Sequence, residues 1–273
     1  MSEWVWIVGG GELQLPAIRE ARRRGYKVIV SDRNRDCIGL KQADLPLVVD
    51  TYDEDENEDA ARGLRKTGLE VIGVLCPGAD VGPTTSVIAA VWGLPAASKD
   101  AATHSRDKIK MRDILQLPHP RFTVVHEYGW IWDIFPCVVK PANNCATRGV
   151  SLVTQERDLL PAVRHAVASN RYGRYGIALI EELLYGEEHA LDFFIVDGKA
   201  IWVNGTTRLY RTHVLGTREP LFGIEAAAIN PWRPPQEVID LATTAAAKLG
   251  VTEGPFKMDV VRDPRYGWCI YEC

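Results

Sequence analysis

Val138-Val139-Lys140-Pro141-Ala142-Asn143-Asn144-Cys145-Ala146-Thr147-Arg148-Gly149-Val150 sets an apolar β-branched pair against a lysine and a run of small polar residues. An apolar stretch resumes at Val150 to Val153. The pattern predicts a hairpin with a loop at its tip. A lysine on a buried strand needs its ammonium satisfied, and a loop of small side chains lets backbone N–H groups close on an anion. The two together describe a phosphate clamp. An exposed lysine beside an ordinary turn has the same local pattern, so the distinction rests on the rest of the chain.

The 273 residues are 46% hydrophobic and 25% charged, with a formal net charge of −4 at pH 7. These are globular values, and the weak negative charge supplies no global field for nucleic acid. Any anion must be held by local groups. Six cysteines, at 37, 76, 137, 145, 269 and 273, show neither CxxC pairs nor zinc spacing and read as reduced core thiols of a cytoplasmic protein. The stretch Val71 to Ala97 is apolar but is broken by Pro77, Asp80, Pro83 and Pro95, well short of the roughly 20 apolar residues of a membrane span. Met1-Ser2-Glu3-Trp4 lacks a basic n-region, so no signal peptide is expected.

Upstream of the hairpin, Trp4 to Val8 predicts a strand ending in Gly9-Gly10-Gly11, followed by a helix from Leu13 to Arg24 and a strand from Lys27 to Ser31 with Asp32 after it. A β-α-β unit with a glycine-rich turn and a later acid is the pattern of a dinucleotide site, although Gln14 stands where the third glycine belongs. An NAD(P)-dependent oxidoreductase is therefore one reading. Further strands at Leu45 to Val49 and Glu70 to Cys76 and helices at Glu56 to Lys66 and Thr84 to Trp92 imply a parallel, doubly wound sheet. Its strand ends would bring the Gly9 turn, Asp32 and the Gly78 to Asp80 turn to one cleft.

Ser105-Arg106-Asp107-Lys108 opens a helix that runs to Leu115. A lysine at that end opposes the helix dipole unless an anion is near. From Phe122 onward the pattern is mostly strands, at 122–125, 136–140, 150–153, 177–184, 189–196, 200–204, 256–261 and 268–271, with helices at 156–169 and 236–249. This is an antiparallel α+β region. Arg208, Arg211, His213 and Arg218 read as a solvated loop, with recognition of a carboxylate as the alternative.

Asp259 and Glu272 fall on neighbouring predicted strands. Two converging carboxylates repel and raise each other's pKa, which a divalent cation relieves; Mg2+ suits a site of one or two carboxylates completed by phosphate oxygens and water. The residues alone also allow Asp259 to pair with Lys257 or Arg262 at a sheet edge while Glu272 is solvated.

The order of these features, Asp107-Lys108, a strand lysine before a small-residue loop, Glu181-Glu182-Leu183-Leu184-Tyr185-Gly186-Glu187-Glu188, Lys257-x-Asp259 and a last-strand Glu272, resembles the ATP-grasp superfamily. The resemblance is to its carboxylate-amine ligases, such as D-alanine:D-alanine ligase, biotin carboxylase and the large chain of carbamoyl phosphate synthetase. It implies a Rossmann-like pre-ATP-grasp domain over residues 1–104, a small lid subdomain with its entry helix over 105–184, and a C-terminal subdomain over 185–273. It also implies ATP and Mg2+ as cofactors. Lys108 and Lys140 would hold the α- and β-phosphates, and Asn144 to Gly149, including Thr147, would form the flap over them. Glu181 would face the adenine amino group, the backbone of Glu182, Leu183 and Leu184 would form the hinge, and Glu188 would bind the ribose. Asp259 and Glu272 would ligate the metal, Lys257 would steady an acyl phosphate and Arg148 would touch the γ-phosphate.

The implied activity is activation of a small-molecule carboxylate as an acyl phosphate for attack by an amine, without nucleic acid or membrane partners. A homodimer is the default assembly. Members of the superfamily usually carry an asparagine two positions past the strand glutamate, whereas this sequence ends at Cys273. The expected fold is thus a C-terminally truncated ATP-grasp, with a non-catalytic nucleotide-binding module as a third reading. A version extended past Cys273 is expected to turn over ATP faster than the 273-residue chain; equal ATPase rates for the two would refute this.

Overall fold

The computed structural model describes residues 2–126, 129–145, 147–170, 176–215 and 221–273, with the backbone alone over 210–230. Two compact units, Met1–Thr103 and His104–Cys273, make up the chain.

In the first unit, β1 (Glu3–Val8), α1 (Leu15–Arg23), β2 (Lys27–Ser31), β3 (Leu45–Leu47), α2 (Glu54–Lys66), β4 (Glu70–Leu75) and α3 (Gly82–Trp92) alternate as expected. The sheet is parallel in the order β3-β2-β1-β4. Both its faces are covered, which is why its strands read as unbroken apolar runs rather than alternating ones. Val5, Ile7, Val28 and Val30 pack with Ile18 and Ala21 of α1 on one face. Trp6, Val8 and Ile29 pack with Ala61 of α2 and Ile88 and Val91 of α3 on the other. Helix α2 begins two residues before the expected Glu56, because the Asp53 side chain caps it by accepting from Glu56 N.

The strand ends do gather the Gly9 turn, Asp32 and the Pro77 turn, but not as a dinucleotide site. The Asp32 carboxylate accepts from Gly10 N and Asn34 N, both at 2.8 Å, and Gln14 donates to the Pro77 carbonyl. A side chain on Gly39 would strike the Gly10 backbone at 2.6 Å. The turn is closed on itself by packing and tied by the Asp32 carboxylate, so this arrangement gives the oxidoreductase reading no support.

Helix α4 (Lys99–Arg106), which the sequence pattern did not announce, crosses into the second unit. There follow α5 (Lys108–Leu115), β5 (Phe122–Val125), β6 (Cys137–Pro141), β7 (Ser151–Val153), α6 (Leu159–Ser169) and β8 (Ala178–Glu182). The chain continues with β9 (Glu188–Val196), β10 (Lys199–Leu215), β11 (Leu221–Pro231), α7 (Gln236–Leu249), β12 (Gly254–Asp263) and β13 (Gly267–Glu272). Among the described residues the strands form one ladder in the order β13-β12-β9-β10-β11-β7-β6-β8-β5.

Around β5 to β8, Val125, Val139, Val153 and Ile180 form a core with Leu159, Ala162 and Val163 of α6, and Trp130 and Trp132 pack against it. Along β9 burial alternates, as a sheet covered on one face requires. His189, Leu191, Phe193 and Ile195 are buried, while Glu188, Ala190 and Asp192 share the opposite face. His189 stacks on Trp232 with ring centroids 3.6 Å apart, a structural role.

The expected solvated loop at Thr206 to Arg218 is instead ladder as far as Leu215: β10 continues and β11, unforeseen, returns against it from Arg208↔Ala228 to Leu215↔Leu221. Arginines and threonines interrupt the apolar alternation there, which hid the strand. The side chains of Arg211 and His213, and all of Arg218, lie outside the described residues, as does Ala146 of the flap. The six cysteines are thiols outside any disulfide, with Cys137 and Cys269 buried and the others half-buried. No helix among the described residues is long and apolar enough to cross a membrane.

The hairpin expected at Val138 to Val150 is β6 and β7, antiparallel with Val139↔Ser151. Gly149 lies near its tip at φ +79°, where an added Cβ would lie 2.5 Å from the Ser169 Cβ. Gly149→Ala should lower stability by about 2–4 kcal/mol, combining left-handed strain with overpacking, and the urea midpoint will read it.

Candidate active site

The polar face of β9, β10, β12 and β13 meets the ends of α5 and β6 in a cluster of buried charge. Asp259 and Glu272 stand directly opposite in the β12–β13 ladder, so their side chains share a face. A bulge makes this possible. Val260 pairs with Ile270, and the register then skips Tyr271 to place Glu272 opposite Asp259. A uniform register would have turned Glu272 to the other face, and re-aiming a side chain in this way is what bulges do beside functional sites.

Asp259 is wholly buried and paired with Lys257 Nζ at 2.6 Å and Arg208 Nη2 at 2.9 Å. Its Oδ1 has no hydrogen bond among the described residues. Burial holds the Asp259 pKa up, and Glu272 adds to this, against the two cations. The pair with Lys257 is the one that an ordinary sheet-edge acid would make, yet full burial and the facing Glu272 exceed that reading. Glu272 lies 3.3 Å from Lys108 Nζ. Burial raises its pKa, but Lys108, Lys257 and Lys140 outweigh it and hold the carboxyl at about 2.

Lys108 is the first residue of α5, capped by Asp107, which accepts from Ile109 N and Lys110 N. The lysine is buried and donates to the Asn144 carbonyl at 2.7 Å. One turn on, Arg112 is also buried and pairs with Glu181. Lys140, on β6, pairs with the same carboxylate at 2.7 Å. Burial, with Arg112 and Lys108 nearby, brings the Lys140 ammonium down to about 8 despite Glu181. Burial raises the Glu181 pKa, but Arg112 and Lys140 hold it below the usual value. Both Glu181 oxygens thus face cations. Tyr271, the bulge residue, joins the two groups, since its carbonyl lies 3.5 Å from Arg112 Nη2 and its ring 5.9 Å from Lys140. Among the described residues the pairs bring together five cations and three carboxylates, a local positive excess in a chain of negative net charge.

The Asn144 side chain braces the flap. It accepts from Cys145 N and Arg148 Nε and donates to the Ser169 carbonyl. Thr147 sits at φ +55°. Arg148 is exposed, with Nη2 2.9 Å from Cys145 Sγ. Glu188 is half-buried at the start of β9, opposite Arg208 and Val261. Glu182, Leu183 and Leu184 leave β8, and the Glu182 side chain is bound by Arg121 N and Arg265. Two cations of the cluster and its surroundings, Arg112 and Arg265, escaped the sequence reading, and a third, Arg208, was read as part of a solvated loop with carboxylate recognition as the alternative. Arg112 had a signal in its i, i+4 spacing from Lys108; Arg265 had no local signal.

A family model described as "ATP-grasp domain" matches residues 134–272, half of the chain. Formate-dependent phosphoribosylglycinamide formyltransferase of Burkholderia pseudomallei (strain 668) is 28% identical, over 65% of this chain and 45% of that protein; the chain thus spans under half the length of this relative. Among solved structures, L-amino acid ligase from Bacillus licheniformis superposes with a TM-score of 0.74 at 23% identity, covering 100% of this chain and 66% of that one. N5-carboxyaminoimidazole synthetase from Staphylococcus aureus, complexed with ADP, gives 0.70 at 17% identity over 98% and 69%. The fold is that of these enzymes, and the chain belongs to the ATP-grasp family.

Proposed function

We propose that the protein is an ATP- and Mg2+-dependent ligase that activates a small carboxylic acid as an acyl phosphate for attack by an amine. The observation that carries this reading is the Asp259–Glu272 pair, set face to face by a bulge and surrounded by more cations than it can neutralise. The residues fit the cofactors. Asp259 offers a buried carboxylate oxygen without a hydrogen bond beside a second carboxylate, a donor set suited to Mg2+, and the positive excess suits a polyphosphate. When bound, Mg2+ supplies neutralising charge for the transferring phosphoryl group.

Lys108 and Lys140 are assigned to the α- and β-phosphates; Glu181, expected to face the adenine amino group, has its two oxygens on Arg112 and Lys140 and is assigned to orienting Lys140 instead. Arg148 extends from the flap toward the γ-phosphate, and Asn144, Thr147 and Gly149 shape that flap. The backbone of Glu182 to Leu184 reads the base and Glu188 the ribose. Lys257, and Arg208 beside it, lie where a substrate carboxylate would gain negative phosphoryl oxygens. Positioning and electrostatic stabilisation carry the catalysis, without a protein nucleophile. The names of the relatives, with formate and L-amino acids as the acids, support the substrate class. We assign residues 105–184 to the lid and 185–273 to the opposing subdomain, and take the enzyme to be cytoplasmic and dimeric.

Mg-ATP should raise the melting temperature, by the equivalent of about 2.7 kcal/mol at a hundredfold excess over Kd, whereas NAD should not; stabilisation by NAD alone would overturn the reading. Lys140→Ala should abolish the shift and still fold, since Arg112 continues to neutralise Glu181. A second expectation follows from the Lys140 pKa of about 8. Phosphate favours the ammonium, so binding takes up a proton once the unliganded lysine is neutral. Affinity for Mg-ATP should therefore hold below pH 8 and fall above it, by up to about tenfold per pH unit, in a titration that Lys140→Ala flattens.

A further inference from the structure

Past Glu182, the last residue of β8 and still paired with Cys137, the chain leaves the sheet, yet from Glu182 to Tyr185 its backbone is tied at almost every residue. Glu182 N donates to Arg121 O at 2.9 Å and Leu183 N to Pro136 O at 3.4 Å. The Leu183 carbonyl accepts from Arg265 Nη2 at 3.0 Å, and Tyr185 N donates to Asp263 Oδ2 at 2.8 Å. The last two partners belong to the β12–β13 turn. There a single guanidinium makes a fork on Asp263, from Nε at 2.9 Å and Nη2 at 2.8 Å, and reaches the buried Glu182 carboxylate from Nη1 at 3.0 Å. Tyr266 donates to that same carboxylate at 3.3 Å. The rings of Tyr185 and Tyr266 lie 5.4 and 4.9 Å from the Arg265 guanidinium. Arg265 holds the Asp263 carboxyl far below the ordinary carboxylate range.

A trans peptide is planar, and its C=O and N–H point in opposite directions. Pinning the Leu183 carbonyl to Arg265 therefore aims the Leu184 N–H the other way, and that N–H has no hydrogen bond among the described residues. Pinning Leu183 N to Pro136 likewise aims the Glu182 carbonyl. One acceptor and one donor two residues apart complement the amino group and N1 of adenine; guanine presents the opposite pattern.

We propose that the β12–β13 turn is a clamp that sets the base-reading edge, with Arg265 as its positioning residue and adenine selectivity as its product. The inference rests on the nucleotide reading above. Lysine cannot reproduce it, because a point charge cannot serve two carboxylates and a carbonyl in one plane.

The test compares the full wild-type chain with Arg265→Lys and Arg265→Ala in titrations with Mg-ATP, Mg-GTP and Mg-tripolyphosphate. Both variants should bind Mg-ATP roughly five- to tenfold more weakly, the effect of one misaligned hydrogen bond. Their ATP:GTP preference should fall by a similar factor, with tripolyphosphate affinity unchanged. An unchanged ATP:GTP ratio would overturn the proposal, as would equal losses for ATP and tripolyphosphate, the mark of general damage. Should the alanine variant not fold, the lysine variant, which keeps the charge of a 39% exposed side chain, decides alone. Failure of the wild type to bind Mg-ATP at all would instead remove the nucleotide reading beneath it.

Discussion

Three cations, Lys108, Arg112 and Lys140, lie in the interior of the second unit, where an unpaired charge costs several kcal/mol after relaxation. Among the described residues only Glu181 and Glu272 are near enough to pair with them. Two carboxylates hold three ammonium or guanidinium groups, and Tyr271 offers its ring face and carbonyl to the surplus. Replacement of these charges by apolar side chains would commonly be neutral or stabilising, so stability alone gives no reason for them. An anionic ligand gives one, since it completes a balance that the protein leaves positive.

The β12–β13 bulge belongs to the same logic. It places Glu272 beside Asp259 on the polar face, bringing together two carboxylates that burial and mutual repulsion would otherwise keep apart. Without a third party, each is quenched by cations close at hand: Asp259 by Lys257 of its own strand and Arg208 of β10, Glu272 by Lys108 of α5. A divalent cation would take over that task and leave these side chains for phosphate and substrate. On the proposed reading, acids and bases that neutralise each other in the unliganded protein would be a store of both metal ligands and hydrogen-bond donors for phosphate, their charges stabilised in a low-dielectric site by their pairing.

What could be read from the sequence follows from the range of each interaction. Lys140 was legible because a β-branched pair before it and small residues after it mark a strand and a turn locally. Lys108 was legible because a helix start announces itself through Asp107. The approach of Asp259 to Glu272 was legible as adjacency of strands but not as register: a regular ladder would have separated them, and no residue between them announces a bulge. Arg112 was visible as a cation one turn beyond Lys108, yet nothing local says that the turn is buried. The β10–β11 hairpin was hidden because arginines and threonines interrupt Thr206 to Leu215, which lacks the apolar alternation that marks a strand. The role of Glu181 as the shared partner of Arg112 and Lys140 is wholly tertiary, as it joins α5, β6 and β8.

The hinge after β8 shows why tertiary ties matter for recognition. A strand inside a sheet has its donors and acceptors consumed by neighbours, and a loose loop presents them in no fixed direction; neither reads a heterocycle edge. The segment Glu182 to Tyr185 takes an intermediate course, with some groups fixed by Arg121, Pro136 and the Arg265–Asp263 pair so that peptide planarity fixes the others. The rigidity comes from the same two strands that carry Asp259 and Glu272. A disturbance of the β12–β13 register would thus reach the proposed metal ligands at one end of the hairpin and the proposed base-reading edge at the other, and would couple the two halves of a nucleotide bound as proposed through a single pair of strands.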